Sequence, residues 1–404
     1  MTTYEDARSI ILANVAPLGP ERVELLAALG RVLAEDVTAP WDLPSFDNSA
    51  MDGFAVRAAD CREGGSLRVT GETSAGATMA SAVEPGCAVR IMTGAPVPPG
   101  CDAVVPVEET EARDDSILLR RSVHPPQHIR FRGEDVRSGD TVITAGTVVY
   151  PPEISMLASF GKAIVPVYRR ARVAVLSTGD ELVELGERPA DGEIINSNTL
   201  SLAAAVREAG AEPVILGIAR DNRESHREKM AEGLKADALV TSAGVSAGDR
   251  DLVRECLAEF GVRQMFWRVE VKPGGPLAFG MKEEKPVFSL PGNPVSTLVT
   301  FEEFVRPALL RMMGHRRVIK PYVQATLRGE VRKKPGKVHF LRVRIEVENG
   351  VHWATSAGDQ NTGILKTLLG ANGIAVLPKE KTVIAAGEEV AVHLLRNDVG
   401  MREE

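Results

Sequence analysis

Aromatic residues make up only 4% of this 404-residue chain, so the stacking platforms that hold single-stranded nucleic acid are not expected. Basic charge is also scarce. Against 48 lysines and arginines stand 55 aspartates and glutamates, and the net charge of −7 leaves any anionic ligand to be held by local groups rather than by a basic face. The four cysteines, Cys61, Cys87, Cys101 and Cys256, form no CxxC pair, which excludes a disulfide framework or a zinc knuckle and predicts reduced thiols. No apolar run reaches the roughly 20 residues of a membrane span. The opening Met1-Thr2-Thr3-Tyr4-Glu5-Asp6 lacks the basic-then-apolar order of a secretory signal, so a soluble, cytoplasmic protein is expected. His124 and His128 bracket Pro125-Pro126 without an acidic or cysteine ligand nearby, and a histidine-bound metal is not expected.

What is present is enough apolar residue, 44%, to bury more than one core, and a length that suggests two to four domains. The apolar spacing of residues 4–34 predicts helices around a Pro-Leu-Gly-Pro break. Residues 40–140 hold short β-type runs, Leu67–Thr70, Cys87–Met92 and Asp102–Val107, separated by Gly and Pro clusters, and predict a small β domain. From about 171 to 315 strands alternate with helices, which implies a mostly parallel sheet covered on both faces, with ligands beyond the carboxyl ends of its strands. The last 85 or so residues return to strands and predict a β-barrel or sandwich.

Five segments carry site chemistry: Phe46 to Ala55, Leu176 to Leu182, Thr241 to Asp251, Lys272 to Pro276 and Leu290 to Ser296. Phe46 to Ala55 sets Asp47, Asn48, Ser49 and Asp52 among small residues in a turn that packs on one side and presents Asp52 on the other. Thr241 to Gly248 follows a strand and precedes a helix; its small residues, with Ser242, Gly244 and Ser246, let N–H groups approach a phosphate at the positive end of a helix dipole. It is neither a Walker A loop nor a dinucleotide fingerprint. Asp249 and Asp251 beside such a cradle would repel phosphate unless a cation intervenes, which predicts Mg²⁺. Asp221 and Glu181 follow neighbouring strands and reach the same edge, although each alone also reads as a cap or a solvated acid. Lys272 stands on a loop framed by Pro273, Gly274, Gly275 and Pro276, and Leu290 to Ser296 ends a strand and opens an apolar helix at Pro294.

Taken in order, Ser49-Ala50-Met51-Asp52-Gly53-Phe54-Ala55, Met92 to Pro98, Arg132-Gly133-Glu134-Asp135, Ser177 to Leu182, Ser246 to Asp251, Lys272-Pro273-Gly274 and Leu290 to Ser296 resemble the molybdopterin molybdenumtransferase family, MoeA, also seen as the E domain of gephyrin. The resemblance covers nearly the whole chain. It implies a multidomain α/β plus β fold: an N-terminal helix (1–19) on a three-layer α/β domain of molybdopterin-binding type (171–319), a linking domain (20–38 and 140–170), an inserted small β domain (39–139) and a C-terminal β-barrel (320–404). It implies a homodimer with its site shared between subunits, and insertion of molybdate, or tungstate, into adenylylated molybdopterin with release of AMP. The adenylyltransferase that makes this substrate and acceptor molybdoenzymes are the implied contacts; nucleic acid and membrane are not. By the same resemblance Asp221 and Asp251 hold Mg²⁺, while Asp52, Thr93, Asp135 and Glu181 are tied to catalysis. Ser242, Gly244, Ser246, Lys272, Pro273, Gly274, Pro291, Asn293 and Ser296 bind substrate, joined from the last domain by Arg342 and Thr362.

Two departures from the family pattern stand out. Gly275 replaces a second lysine of the Lys-Pro-Gly-Lys-Pro loop, which predicts weaker oxyanion binding and a gain on Gly275→Lys, and Ala243 stands where a second glycine is common. Rival readings are a molybdopterin adenylyltransferase, which shares the α/β fold and would consume ATP, and a non-catalytic scaffold of the gephyrin type, which would dimerise without turnover.

Overall fold

A computed structural model of the chain describes residues 1–76, 81–244 and 252–396. These fall into two compact units, one formed by Met1–Ala34, Gly146–Pro151 and Ile164–Glu404, the other by Glu35–Ala145 and Pro152–Ala163. The segments expected to form a linking domain are divided between them. Pro20–Glu24 pairs with Ile164–Tyr168 in the first unit, and Val37–Thr38 pairs with Thr141–Ile143 in the second.

The first unit is built on a six-stranded sheet of β1 (Arg172–Thr178), β2 (Glu212–Ala219), β3 (Ala238–Ser242), β4 (Arg263–Phe266), β5 (Ala278–Lys282) and β6 (Lys285–Leu290), in the order β2-β1-β3-β6-β5-β4. The first four in that order run parallel; β5 and β4 are antiparallel additions at one edge. Val173 and Val175 enter one core, whereas Ala174 and Leu176 enter another on the opposite face. Burial on both faces is why β1 reads as a continuous apolar run rather than an alternating one. Helices α1 (Tyr4–Asn14), α2 (Ser197–Glu208) and α5 (Pro294–Thr300) cover the first face through Ile11, Leu202, Val206 and Val299; α3 (Arg223–Gly233) and α4 (Leu252–Glu259) cover the second through Met230, Val253 and Leu257. Each such side chain contributes about 1.5–3 kcal/mol on burial.

Helix α5 continues through a π-helical turn, Phe301–Val305, into α6 (Arg306–Met312). Pro307 lacks the N–H that would bond four residues back, which accounts for the irregular turn. That turn carries Glu303, buried at 5% exposure and bonded to the hydroxyl of Tyr4 at 2.7 Å and to His393 Nδ1 at 2.9 Å. The network ties α1, the π turn and a C-terminal strand together. That strand belongs to a closed five-stranded β-barrel of Tyr322–Leu327, Val338–Glu348, Val351–Ser356, Gly373–Leu377 and Glu389–Leu394, to which Val271–Lys272 adds a parallel strand beside Val338 and His339.

One expectation for the N-terminus is corrected. The helix predicted across residues 23–33 is a strand, Pro20–Glu24, followed by a single 3-10 turn, Leu25–Ala28. Leu26 and Leu29 remain exposed, so their helical spacing covers nothing; the strand exists because Ile164–Tyr168, far along the chain, offers it an edge. Tertiary pairing overrides local periodicity here.

The second unit holds a six-stranded sheet in the order Ala103–Pro106, Gly53–Val56, Cys87–Ile91, Ser66–Thr73, Ser116–Leu119 and Thr110–Arg113. Gly53 begins a central strand so close to its neighbour that a Cβ there would lie 2.0 Å from the Val105 carbonyl oxygen. Only glycine fits after Asp52. All four cysteines are free thiols.

Candidate functional site at the carboxyl ends of the parallel strands

The ends of β1, β3 and β6 open into a cavity of about 400 Å³, within the size range of small-molecule sites. Its wall is built by a short parallel bridge, Leu182–Val183 with Ile194–Ile195, which hands the chain directly to α2. The N–H of Asn196 donates to the Val183 carbonyl at 2.9 Å, and the Asn196 side chain caps α2 by accepting the Thr199 N–H at 3.3 Å. Asn198, in the first turn of α2, donates from Nδ2 to the Gly292 carbonyl at 2.7 Å and to Ser242 Oγ at 2.8 Å, tying α2 to the ends of β3 and β6. Of the sequence-predicted residues, Glu181, Ser242, Gly244, Pro291 and Asn293 line this cavity, with Leu182, Ile194, Ile195, Pro276 and Pro294 as its apolar surfaces.

The acidic edge lies beside it. Asp180 Oδ1 accepts the Asp221 N–H at 3.0 Å, and Arg220 Nη1 donates to the carbonyls of Asp180 and Leu182 at 3.3 and 2.8 Å, so Asp221 is fixed next to the β1 loop. Asp251 and Ser246 lie outside the described residues. Among the described residues no group of three metal-ligating side chains converges.

The phosphate-type loop begins with Ala243 at φ +76° and Gly244 at φ +76°. Gly244 has no alternative, because a Cβ there would meet Val253 Cγ2 at 2.1 Å; Ala243 adopts a left-handed conformation that an L side chain disfavours.

The Lys272 loop is equally constrained. Gly274, at φ +96°, packs so tightly on α5 that a Cβ would lie 2.2 Å from Thr300 Cγ2, which holds the loop against the helix carrying Ser296. Pro273 is buried beneath it and Lys272 is exposed. Over Gly275 stands a cation from the barrel: a Cβ built on Gly275 would be 3.7 Å from Lys337 Nζ. Burial, and then the charges of Lys333, Lys272 and Lys337, push the His339 imidazole down to about 4. It is therefore neutral near pH 7, and the positive charge of the cluster is that of its lysines. Arg342 is fully buried instead. Its Nε donates to Thr367 Oγ1 at 2.7 Å and Nη2 to the Asp359 and Asn361 carbonyls at 3.1 and 3.2 Å, which shapes the loop that offers Thr362 Oγ1 to Asn293 Nδ2 at 3.2 Å. Burial holds the Arg342 pKa below the ordinary guanidinium value.

In the second unit Asp52 Oδ1 accepts both the Thr93 N–H at 2.7 Å and the Thr93 hydroxyl at 2.8 Å. Those two bonds, the backbone one first, hold its carboxyl below the usual carboxylate range. Asp135 sits on the turn after Phe131, its N–H donating to the Leu43 carbonyl at 3.1 Å.

Three family models match the chain in sequence: the MoeA N-terminal region over residues 2–161, a probable molybdopterin binding domain over 174–311, and the MoeA C-terminal region over 324–395. A molybdopterin molybdenumtransferase of Haemophilus influenzae is 37% identical over 98% of this chain and 100% of its own length. The chain belongs to the molybdopterin molybdenumtransferase (MoeA) family. Molybdopterin molybdenumtransferase 2 of Mycobacterium tuberculosis is similar at 38% identity over 97% of this chain and 99% of its own length. Among solved structures, a molybdopterin biosynthesis MoeA protein from Pyrococcus horikoshii superposes with a TM-score of 0.85 at 30% identity, covering 98% of this chain and 100% of that one. Family membership makes the chain a transferase of molybdenum cofactor biosynthesis. In this MoeA chain the sequence pattern did not point to Lys337, Asn196 or Asn198. Asn196 carried a helix-cap signal that placed it at the sheet edge; nothing local linked Lys337 to Gly275.

Proposed function

We propose that the protein inserts molybdate into adenylylated molybdopterin in the cytoplasm, with Mg²⁺ and release of AMP. The observation that carries this reading is one loop, Lys272 to Pro276, that joins the Lys272 and Lys337 ammonium groups to the wall of the cavity at the strand ends. A tetrahedral dianion suits the exposed lysines, and the phosphorylated pterin suits the cavity with the N–H groups of the 242–244 loop and the N-terminus of α5. Placing both reactants beside one loop supplies orientation, which lowers the entropic part of the barrier to such a transfer. Asp221 and Asp251 carry hard oxygen donors of the kind that fit Mg²⁺, and Asp221 is held at the strand-end edge by its N–H bond to the Asp180 carboxylate. When bound, the ion would offset charge on the phosphates of the substrate. Asp52 with Thr93, and Asp135, would act from the β unit, and assembly as a homodimer whose sites draw on both subunits accommodates their placement in a separate unit of the chain. Extension of the relatives' similarity across the β unit and the barrel favours this reading over an adenylyltransferase, whose chemistry would need the α/β domain alone.

The test is incubation of the pure protein with adenylylated molybdopterin, Mg²⁺ and molybdate or tungstate, with chromatography of the nucleotide and mass spectrometry of the pterin. AMP and a metal-loaded pterin are expected; dimerisation without turnover, or ATP consumption in a parallel incubation with molybdopterin, ATP and Mg²⁺, would sink the proposal.

A further inference from the structure

We propose that Asn196 and Asn198 read the oxo and N–H edge of the substrate's pterin ring. The inference rests on the placement of molybdopterin in the strand-end cavity and names the part of the ligand recognised there. Asn196 is 3% exposed and lines the cavity. Its Oδ1 is committed to the Thr199 N–H, so the amide cannot flip, and its Nδ2 is a buried donor with no partner among the described residues. Asn198 lines the same cavity with the opposite polarity: Nδ2 is committed to Gly292 and Ser242, and Oδ1 is a buried acceptor with no partner among the described residues. Buried amide atoms are nearly always paired, and here two neighbouring side chains leave one donor and one acceptor, with Asn196 oriented by a backbone N–H and Asn198 by a backbone carbonyl and the Ser242 hydroxyl.

That combination discriminates among ligands. A phosphate at neutral pH offers acceptors only, so it can answer Asn196 and would be repelled by the Asn198 oxygen. A ring bearing a carbonyl next to an N–H, the 4-oxo lactam of a pterin, answers both, and the apolar side chains of Leu182, Ile194, Ile195 and the prolines suit its flat faces. A ribose hydroxyl could also donate and accept, and is separated by the experiment below. Asn196 and Asn198 are positioning residues that set which end of the substrate enters the cavity.

The test uses the full chain and three probes, 2-amino-4-oxopteridine, 2,4-diaminopteridine and AMP, titrated by ligand fluorescence or ligand-detected NMR. The diamino probe replaces the carbonyl and N–H by a donor and an acceptor in reversed order. The unmodified protein is expected to bind the oxo probe at least tenfold more tightly than the diamino one. Asn196→Asp keeps an oxygen for the helix cap and removes the donor, so it should weaken the oxo probe at least tenfold, narrow or reverse the preference, and leave AMP unchanged. Equal binding of the two pteridines to the unmodified chain overturns the assignment without any variant. A loss in Asn196→Asp confined to AMP assigns the pair to ribose and overturns it too. If neither pteridine binds the unmodified protein, the pterin placement itself falls; if both bind without discrimination, only the edge assignment does.

Discussion

Removing the Lys337 ammonium should raise the molybdate concentration needed for half-maximal AMP release, and restoring a charge at position 275 should reverse the effect. Gly275 by itself suggested a site short of one cation. The structure changes that expectation, because Lys337 Nζ lies 3.7 Å from where a Cβ on Gly275 would stand. A unit charge about 4 Å from an anionic charge is worth about 4 kcal/mol at an effective dielectric of ~20 and about 1 kcal/mol in water. Lys337 is exposed, so the lower limit applies and salt weakens it further. About 1 kcal/mol corresponds to roughly a fivefold rise for Lys337→Ala at low ionic strength. Gly275→Lys in the unmodified chain should bring little, since the new side chain starts 3.1 Å from the Val271 carbonyl and sets a second ammonium beside that of Lys337. In the Lys337→Ala background the same substitution should recover most of the loss, giving a coupling that a double-mutant cycle measures. Molybdate titrations of the four proteins at two salt concentrations decide the matter. Additive effects, or a clear gain from Gly275→Lys alone, would refute the reasoning and return the missing charge to Gly275.

Three further outcomes are expected. Ala243→Gly should stabilise the protein by about 0.5–1 kcal/mol, because relief of a left-handed conformation worth about 1–2 kcal/mol exceeds the entropy glycine adds to the unfolded chain, and a denaturant melt with no shift would count against it. Tyr4→Phe should cost about 1–3 kcal/mol, since it takes from the buried Glu303 carboxylate a 2.7 Å hydroxyl bond and leaves His393 as its partner; a change within about 0.5 kcal/mol, on the scale of a neutral surface substitution, would mean the network is not cohesive. Asp52 is held below the ordinary carboxylate range by Thr93, so whatever its ionised form contributes is present above its unfolded value of about 3.9 and fades as pH falls through the lower folded value. Thr93→Val should therefore move the NMR titration midpoint of the Asp52 carboxyl upward, and an unchanged midpoint would remove Thr93 as the cause.

How far the sequence could lead depended on whether each feature was carried by neighbours in the chain. The strand Arg172–Thr178, buried on both faces, announces itself as an apolar run, and its loop places Glu181 at the edge because the next element must return to the same sheet. The pairing of Asp52 with Thr93 was half legible: the two motifs were visible, but the bond between them needs the strand at Gly53 to pair with the strand that ends at Ile91. The strand Pro20–Glu24 was misread as helix because its partner is encoded at Ile164–Tyr168. Gly275 carries the same lesson into the chemistry. Read along the chain, a glycine in place of lysine is a lost charge; read in space, it is room beside which a lysine from the barrel stands. Charge is a property of a volume, whereas a motif is a property of a segment. A substitution inside a motif therefore predicts a lost charge only when no cation from another element stands beside it, and at Gly275 Lys337 does.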